Sequence, residues 1–563
     1  MKNVLTNILN LCKEPRLFLS VSCACLSGRQ VLYSVLSILF IGLFIPSCTD
    51  KSERQDGYLH LRLSSNPTTL DPALVVDVTG GGIGAKIFNG LVRFDEKLNI
   101  IPDLAEKWEI SSDGRQYIFY IRSGVKFSNG REVTAGDFKY SFERLLQPRT
   151  KSPNTWALDR IKGAKDFIDG GVKEVSGIKT ADKYKLVIAL EKPFAPFLSL
   201  LCMTAAYVVP KEDVEKWGAD FSTHSSGTGP YVLKEWKHNQ YLTLEARDDY
   251  FEGKPAINGI VYSIIPEDMT AAAEFESGNL DVMSIPAAEF RRYFNSEKWK
   301  SLVSGASGIN IYYLGFNCDR PPFNNPLLRK AVSHAIDRGK ILRTIYEARG
   351  VPASGPVPPA LKSWAVPDMY PYNPEKAKSL LKDAGYPAGI KIKIYLTADQ
   401  EVLDILEVIQ GYLMNAGIEA ELRQLEWSAY KAAINSGETD AFWLSWWADY
   451  PDPENFLFPL FHSSNFGPAG NRARFKNKEV DALIEKGQGS IDKKRRDEYY
   501  EKAEKLIANS APWVFFWHKK EYTVRQPRVK NYKIYPIYSI DKGMEIELRV
   551  KSEPAGRQTR SPF

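Results

Sequence analysis

Residues 390–425 read IKIKIYLTADQEVLDILEVIQGYLMNAGIEAELRQL, and their pattern decides the fold class. Ile390 to Leu396 alternates like a half-buried strand, Glu401 to Ala416 has helical spacing, and Ile418 to Leu425 alternates again. Two strands joined through a helix run parallel, with a right-handed crossover, so the chain is α/β. Upstream, Asn373-Pro374 opens a helix over Glu375 to Ala384 that Gly385 closes. Pro326 suits the first turn of another helix, with Leu328, Val332, Ala335 and Ile336 on one face.

Downstream, Ala441 to Trp447 is an apolar, strand-like run that leads into WLSWWADYPDPENFLF, residues 443–458. Four aromatic residues, Trp443, Trp446, Trp447 and Tyr450, surround Asp449 in sequence. The Tyr–Pro and Asp–Pro steps after it disfavour helix, so the strand ends in an ordered turn. A carboxylate walled by indole rings is poised to hold a cation. The plain alternative is a buried tryptophan cluster with a turn-forming aspartate.

The chain has 563 residues, enough for two to four lobes with sizeable cores. Residues 1–47 read as an export signal, with Lys2, Lys13, Arg16 and Arg29 ahead of the apolar run Val31 to Ile45. Ser47-Cys48 resembles a bacterial lipoprotein cleavage box, which makes Cys48 the expected lipidation site and places the protein outside the cytoplasm on a membrane anchor. Removing 1–47 takes four of 74 basic and one of 68 acidic residues, leaving a formal charge of +3. That balance, with no basic run, argues against a nucleic-acid partner. After Cys48 only Cys202 and Cys318 remain, so stability must come from core burial rather than a disulfide framework.

Tyr58 to Leu63 alternates like a strand, and Val75 to Gly84 is rich in glycine. Gly80, Gly82 and Ala85 fit a loose G-x-G-x-x-A dinucleotide pattern, but no βαβ unit frames it. A glycine-rich loop allowing close backbone approach is the better reading, and no cofactor is expected. Ser112-Asp-Gly114 reads as a hairpin turn before the strand Tyr117 to Ile121. Thr134 reads as the cap of a helix from Ala135 to Leu146, with Phe138, Phe142 and Leu145 in register. No G-x-S-x-G or H-E-x-x-H is present, the six histidines lack ligand spacing, and neither a metal site nor an enzyme is expected.

The stretch Leu91 to Leu146 resembles the signature region of the family 5 extracellular solute-binding proteins, the oligopeptide-binding lipoproteins of ABC importers. Ser226-Gly-Thr-Gly-Pro-Tyr-Val-Leu-Lys-Glu-Trp236 and Ile311-Tyr-Tyr-Leu-Gly-Phe-Asn317 resemble further landmarks in order and spacing. The resemblance implies a two-lobed, hinged, periplasmic-binding-protein-like fold of the type II large cluster, with an extra accessory domain. It implies crossings between lobes near Gly315 and near residues 518–525. The expected division is a signal at 1–47, a linker at 48–57, first-lobe segments at 58–94, 226–312 and 519–550, an accessory domain at 95–225, a second lobe at 313–518, and a disordered tail at 551–563.

The same resemblance implies peptide capture between the lobes by a monomer that delivers to a permease and ATPase. Non-peptide solutes such as nickel chelates, haem or oligosaccharides are the alternative, and an exported hydrolase fits less well. Trp-Ala-Asp-Tyr resembles the family motif whose Asp pairs with the peptide amino terminus, which gives Asp449 that role. Trp427 resembles a pocket-lining tryptophan. Trp446, Trp447, Ala448 and Tyr450 are expected around the ligand, and the backbones of Trp446 to Ala448 and of Val76, Asp77 and on to Gly80 as strand-pairing edges. For the ligand carboxylate, Arg423, Lys431, His462, Arg472 and Arg474 remain open candidates.

Overall fold

The structure, a computed structural model, describes residues 56–549 apart from Ala348. The expectations for the export signal, for Cys48 and for the tail lie outside the described residues. Among those described, no helix is long and apolar enough to cross a membrane.

The first lobe is built on β1 (Tyr58–Leu63), which is followed by helix α1 (Val78–Ile87). A separate antiparallel sheet comes next, from β2 (Ala105–Ile110), β3 (Gln116–Ile121), β4 (Ile178–Asp182) and β5 (Lys185–Ala189), in the order β2-β3-β5-β4. Against it packs α2 (Ala135–Leu146), which buries Phe138, Phe142 and Leu145 as its spacing requires. Asp137 closes a capping box by accepting from both the amide and the hydroxyl of Thr134, at 2.8 and 2.9 Å. The chain then returns as β6 (Tyr231–Lys237), β7 (Tyr241–Ala246) and β8 (Gly259–Ile264), giving a sheet β1-β8-β7-β6 with β1 parallel to β8.

The second lobe has the βαβ unit at its centre. Short strands β9 (Val282–Ser284) and β10 (Val303–Ser307) precede β11 (Asn310–Phe316), α3 (Pro326–Ala335), β12 (Gly350–Pro352) and α4 (Pro374–Asp383). The unit itself is β13 (Ile390–Thr397), α5 (Gln400–Asn415) and β14 (Ile418–Leu425), parallel over its whole register from Ile390↔Ile418 to Thr397↔Leu425. Asn325, Asn373 and Asp399 cap α3, α4 and α5 through their side chains. Helix α6 (Trp427–Ser436), strand β15 (Ala441–Trp447), helices α7 (Glu454–Phe461), α8 (Lys478–Gly489) and α9 (Lys493–Ser510), and the long strand β16 (Trp513–Arg525) complete it. The sheet runs β9-β16-β11-β15-β13-β14. One face carries the core of Leu314, Phe316 and Trp443 with α3 to α5, the other that of Tyr313 and Phe442 with α6 to α9.

Strand β16 is where the lobes meet. Its first half pairs with β11 and β12 and its second half with β9 and β10. Gly315, near which the other crossing is expected, lies inside β11, flanked by Phe442 and Trp513, and the nearest break between strands is at Gly308, between β10 and β11. The loop reading of Val75 to Gly84 is also corrected, since Val78–Ile87 is helical. The glycines serve close approach within that helix: a Cβ on Gly81 would lie 2.4 Å from the Tyr538 ring and one on Gly80 2.7 Å from the Thr69 carbonyl. Cys202 and Cys318 are both free thiols.

Two buried polar groups make the fold testable. Glu504 on α9 is fully buried and accepts from Lys362 Nζ at 2.8 Å, Trp364 Nε1 at 2.7 Å and the Val357 amide at 3.1 Å. Lys362→Met strands that carboxylate, and chemical denaturation should show a loss of about 3 kcal/mol or more. His518, on β16 near the crossing, is buried with Nδ1 2.5 Å from the Asn310 carbonyl oxygen. Burial lowers its pKa from 6.5 to about 4. The unfolded chain therefore takes up this proton more readily, so the stability that neutral His518 supports is complete above pH 6.5 and is lost as pH falls toward 4. In melting scans across that window, His518→Gln should lose less stability than the parent protein.

Candidate functional site

Strand β15 delivers the motif that the sequence singled out. It pairs with β11 along its whole length, from Phe316↔Ala441 to Asn310↔Trp447, whereas β13 pairs with it only at Ala441 and Phe442. From Trp443 onward the second edge of β15 has lost its neighbour. The Ala448 amide donates to the Ile309 carbonyl at 2.9 Å, so in the antiparallel alternation Ser445 and Trp447 direct their backbone groups to the open edge. The Trp443 carbonyl on that edge is taken by the Tyr430 hydroxyl. Ala448 thus belongs to the sheet, and the free edge is Ser445 and Trp447.

Past Trp447 the chain turns, and one side chain from α7 holds the turn. Asn455 Oδ1 accepts from the Asp449 amide at 3.0 Å and from Trp446 Nε1 at 3.4 Å, and its Nδ2 donates to Asp449 Oδ2 at 3.3 Å. No other side chain hydrogen-bonds the Asp449 carboxylate among the described residues, and no cation pairs with it. The Asp449 surface is open to solvent, yet surrounding protein desolvates it enough to raise its pKa from 3.8.

The aromatic neighbours divide. Trp447 is 40% and Trp427 53% exposed. Trp446 is half-buried and tied to Asn455. Tyr450 is buried instead of lining the cleft: its hydroxyl bonds Glu454, and its ring lies 6.3 Å from that of Trp156 in the core of the antiparallel domain. Asp452 and Glu454 are buried with partners of their own, Arg496 at 3.5 Å and Gln488 at 2.6 Å, so the three carboxylates form no common cation site.

On the first lobe, Val76 is 64% exposed, and neither its amide nor its carbonyl is hydrogen-bonded among the described residues. Asp77 is occupied as the cap of α1, accepting from the Gly80 amide at 2.7 Å and the Thr68 hydroxyl at 2.5 Å. Gly80 spends its amide there and sits in the first helical turn, so strand pairing cannot run on to Gly80 and ends at Val76 and Asp77. Tyr538 gathers the two sides. Its pKa is raised chiefly by burial, with the nearby charges of Asp449 and Asp77 adding.

Of the five cations considered for a ligand carboxylate, four are committed. Arg423 pairs with Glu421, Arg472 with the Asn435 amide oxygen, Arg474 with the Asn435 and Ser436 carbonyls, and His462 with Ser464 and Glu485. Lys431 has no ion pair among the described residues, and its ammonium lies 5.3 Å over the Trp427 ring. Sequence reasoning missed Asn455 and Tyr538. Asn455 follows Asp449 by six residues, but only the turn brings its amide back.

Residues 99–468 match the family described as bacterial extracellular solute-binding proteins, family 5, middle. The chain belongs to that family. It is 32% identical over 490 residues to heme-binding protein A of Haemophilus influenzae, covering 83% of this chain and 88% of that one. To the dipeptide-binding protein of Escherichia coli it is 28% identical, covering 89% and 96%. The structure superposes on the Escherichia coli murein tripeptide binding protein with a TM-score of 0.72 at 28% identity, covering 88% and 99%.

Proposed function

We propose that this protein is the substrate-binding component of a peptide ABC importer, and that it captures short peptides between its lobes. The observation that carries the reading is Asp449, a carboxylate held by Asn455 and without a cation among the described residues. Such an acid meets a peptide α-ammonium, while the open edges at Trp447 and Val76 take the peptide backbone by strand addition, which is indifferent to sequence. Trp427 and Trp447 cover the side chains. Hinge motion at Gly308 and β16 then excludes water from the pair. The protein performs no covalent chemistry, works outside the cytoplasm as a monomer lipid-anchored at Cys48, and hands its cargo to a permease driven by an ATPase.

Thermal shift with a tripeptide series tests the reading. Free tripeptides should raise the melting temperature, and their N-acetylated forms should not. Stabilisation by both forms alike, or by neither, overturns it. Lys431, the candidate cation without an ion pair among the described residues, is the one we assign to the far carboxylate, so Lys431→Met should weaken tripeptide binding by about 1–2 kcal/mol in calorimetry while C-terminally amidated peptides lose little.

The relative named for haem supports a second reading, haem cargo. That reading needs an axial donor facing the cleft, and His518 on the crossing strand is buried with Nδ1 committed to the Asn310 carbonyl. Mass spectrometry of material released from the purified protein separates the two: peptide masses favour the first, a porphyrin the second.

A further inference from the structure

Where β1 ends, α1 begins and β16 crosses between the lobes, the first lobe holds a cavity of about 440 Å³. This is the carboxyl end of a parallel strand pair beside a crossing, where α/β sheets place ligands. Its walls include the rings of Tyr262, Tyr532, Tyr535 and Tyr538. Tyr538 also feels the charge of Asp449, the acid proposed for the peptide amino terminus.

The charges of this cavity are not balanced in the usual way. Each cation of its lining has an acid of its own: Arg62 pairs with Asp268 at 2.7 Å, Lys86 with Asp541 at 2.8 Å, and Lys533 with Glu96 and Glu545 at 2.5 and 2.7 Å. Glu521 of β16 is the exception. Among the described residues no cation lies within ion-pairing distance of it and no donor hydrogen-bonds its carboxylate. Its nearest charged influence is Lys519, two residues back on the same strand face. Like Asp449 it is open to solvent and yet desolvated by surrounding protein, which raises its pKa from 4.5.

A peptide that meets Asp449 with its ammonium fills one unpaired acid and leaves the other facing a tyrosine-walled hollow. The π faces of those rings favour cations, and their hydroxyls can share a cation's donors. A neutral side chain in this hollow would leave Glu521 desolvated without compensation; a lysine or arginine side chain would supply the charge. We propose that Glu521 and the tyrosine-lined cavity form a side-chain pocket for a basic residue, so that the protein selects cationic peptides. This rests on the peptide reading and adds a ligand class to it.

The test compares the tripeptides Lys-Ala-Ala, Ala-Lys-Ala and Ala-Ala-Lys with their norleucine counterparts, by calorimetry on the signal-free protein and on Glu521→Gln. Norleucine keeps the length and apolar stem of lysine and removes the charge. In at least one position, lysine should bind on the order of ten- to a hundredfold more tightly than norleucine, the range of a charge-assisted hydrogen bond. Glu521→Gln should remove that preference and leave norleucine affinity within about threefold, within the scatter of a substitution that breaks no contact. If the parent protein binds both series equally, the pocket is overturned while peptide binding stands. If it binds neither series, both readings fall together. A lysine preference that persists in Glu521→Gln overturns the assignment to this residue.

Discussion

Asp449→Asn should abolish peptide binding while leaving the folded protein at least as stable as before. The substitution keeps the size of the side chain and an oxygen for the Asn455 amide, so the turn after β15 survives. What it removes is a negative charge that burial already penalises. In the ligand-free protein that removal costs nothing in ion pairing, since no cation pairs with Asp449 among the described residues, and melting should stay level or rise. In the closed complex the peptide ammonium would be left unpaired, at a cost of about 3–5 kcal/mol, or a loss of roughly a hundred- to several thousandfold in affinity. Loss of binding together with unchanged melting separates an anchoring acid from a structural one. The pH dependence gives a second readout. The raised pKa of Asp449 means that affinity is full above that value and falls as pH drops and the carboxyl takes up its proton. Titrations from pH 7 downward should therefore show an acid limb in the parent protein that Asp449→Asn lacks. Binding unchanged in the variant would remove Asp449 from the site.

Local pattern and long-range geometry differ in how far the sequence discloses them. The βαβ unit at 390–425, the helix starts at Thr134 and Asn373 and the first-turn Pro326 are legible because each is fixed by residues close to one another in sequence. The aromatic run around Asp449 stands out because three tryptophans and a tyrosine fall within eight residues of one acid. Its open edge is not legible, since it depends on β13 leaving β15 after Phe442, a matter of sheet twist between segments some fifty residues apart. The helix at Val78–Ile87 is misread for a related reason. Glycines disfavour a helix intrinsically, but Asp77 caps this one, and Tyr538, from the far end of the chain, packs where a side chain on Gly81 would be. Glu521 gives no local signal, because it is one more polar residue in an alternating strand until β1 and α1 are folded beside it.

Gly227→Ala should be the most damaging single-methyl change in the first lobe. In Ser226-Gly-Thr-Gly-Pro-Tyr the two glycines pass directly against the C-terminal end of α1. A Cβ on Gly227 would lie 1.9 Å from the Ile87 carbonyl oxygen and 2.9 Å from the Phe88 ring, and one on Gly229 2.3 Å from the Lys86 carbonyl. The obstacle is backbone, which cannot rotate aside as a side chain can. The glycine is held from the other side as well, since the Ser128 amide and Arg247 Nη1 bond its carbonyl at 2.8 and 3.2 Å. Relief therefore requires α1 or the returning strand β6 to move, at an expected cost of about 2–4 kcal/mol. Gly411→Ala is the matched control. Gly411 lies inside α5 with nothing within 4 Å of an added Cβ, and alanine there should stabilise by about 0.5–1 kcal/mol. Opposite signs for one added methyl group, read by denaturant melts, would show that the Gly227 contact and not glycine replacement in general is at stake. The consequence reaches binding under the proposed function, because Asp77 caps α1 and the exposed edge at Val76 immediately precedes it. A Gly227→Ala protein that still folds at low temperature should bind tripeptides more weakly than its residual folded fraction explains. Retention of full affinity per folded molecule would show that α1 can shift without disturbing Val76.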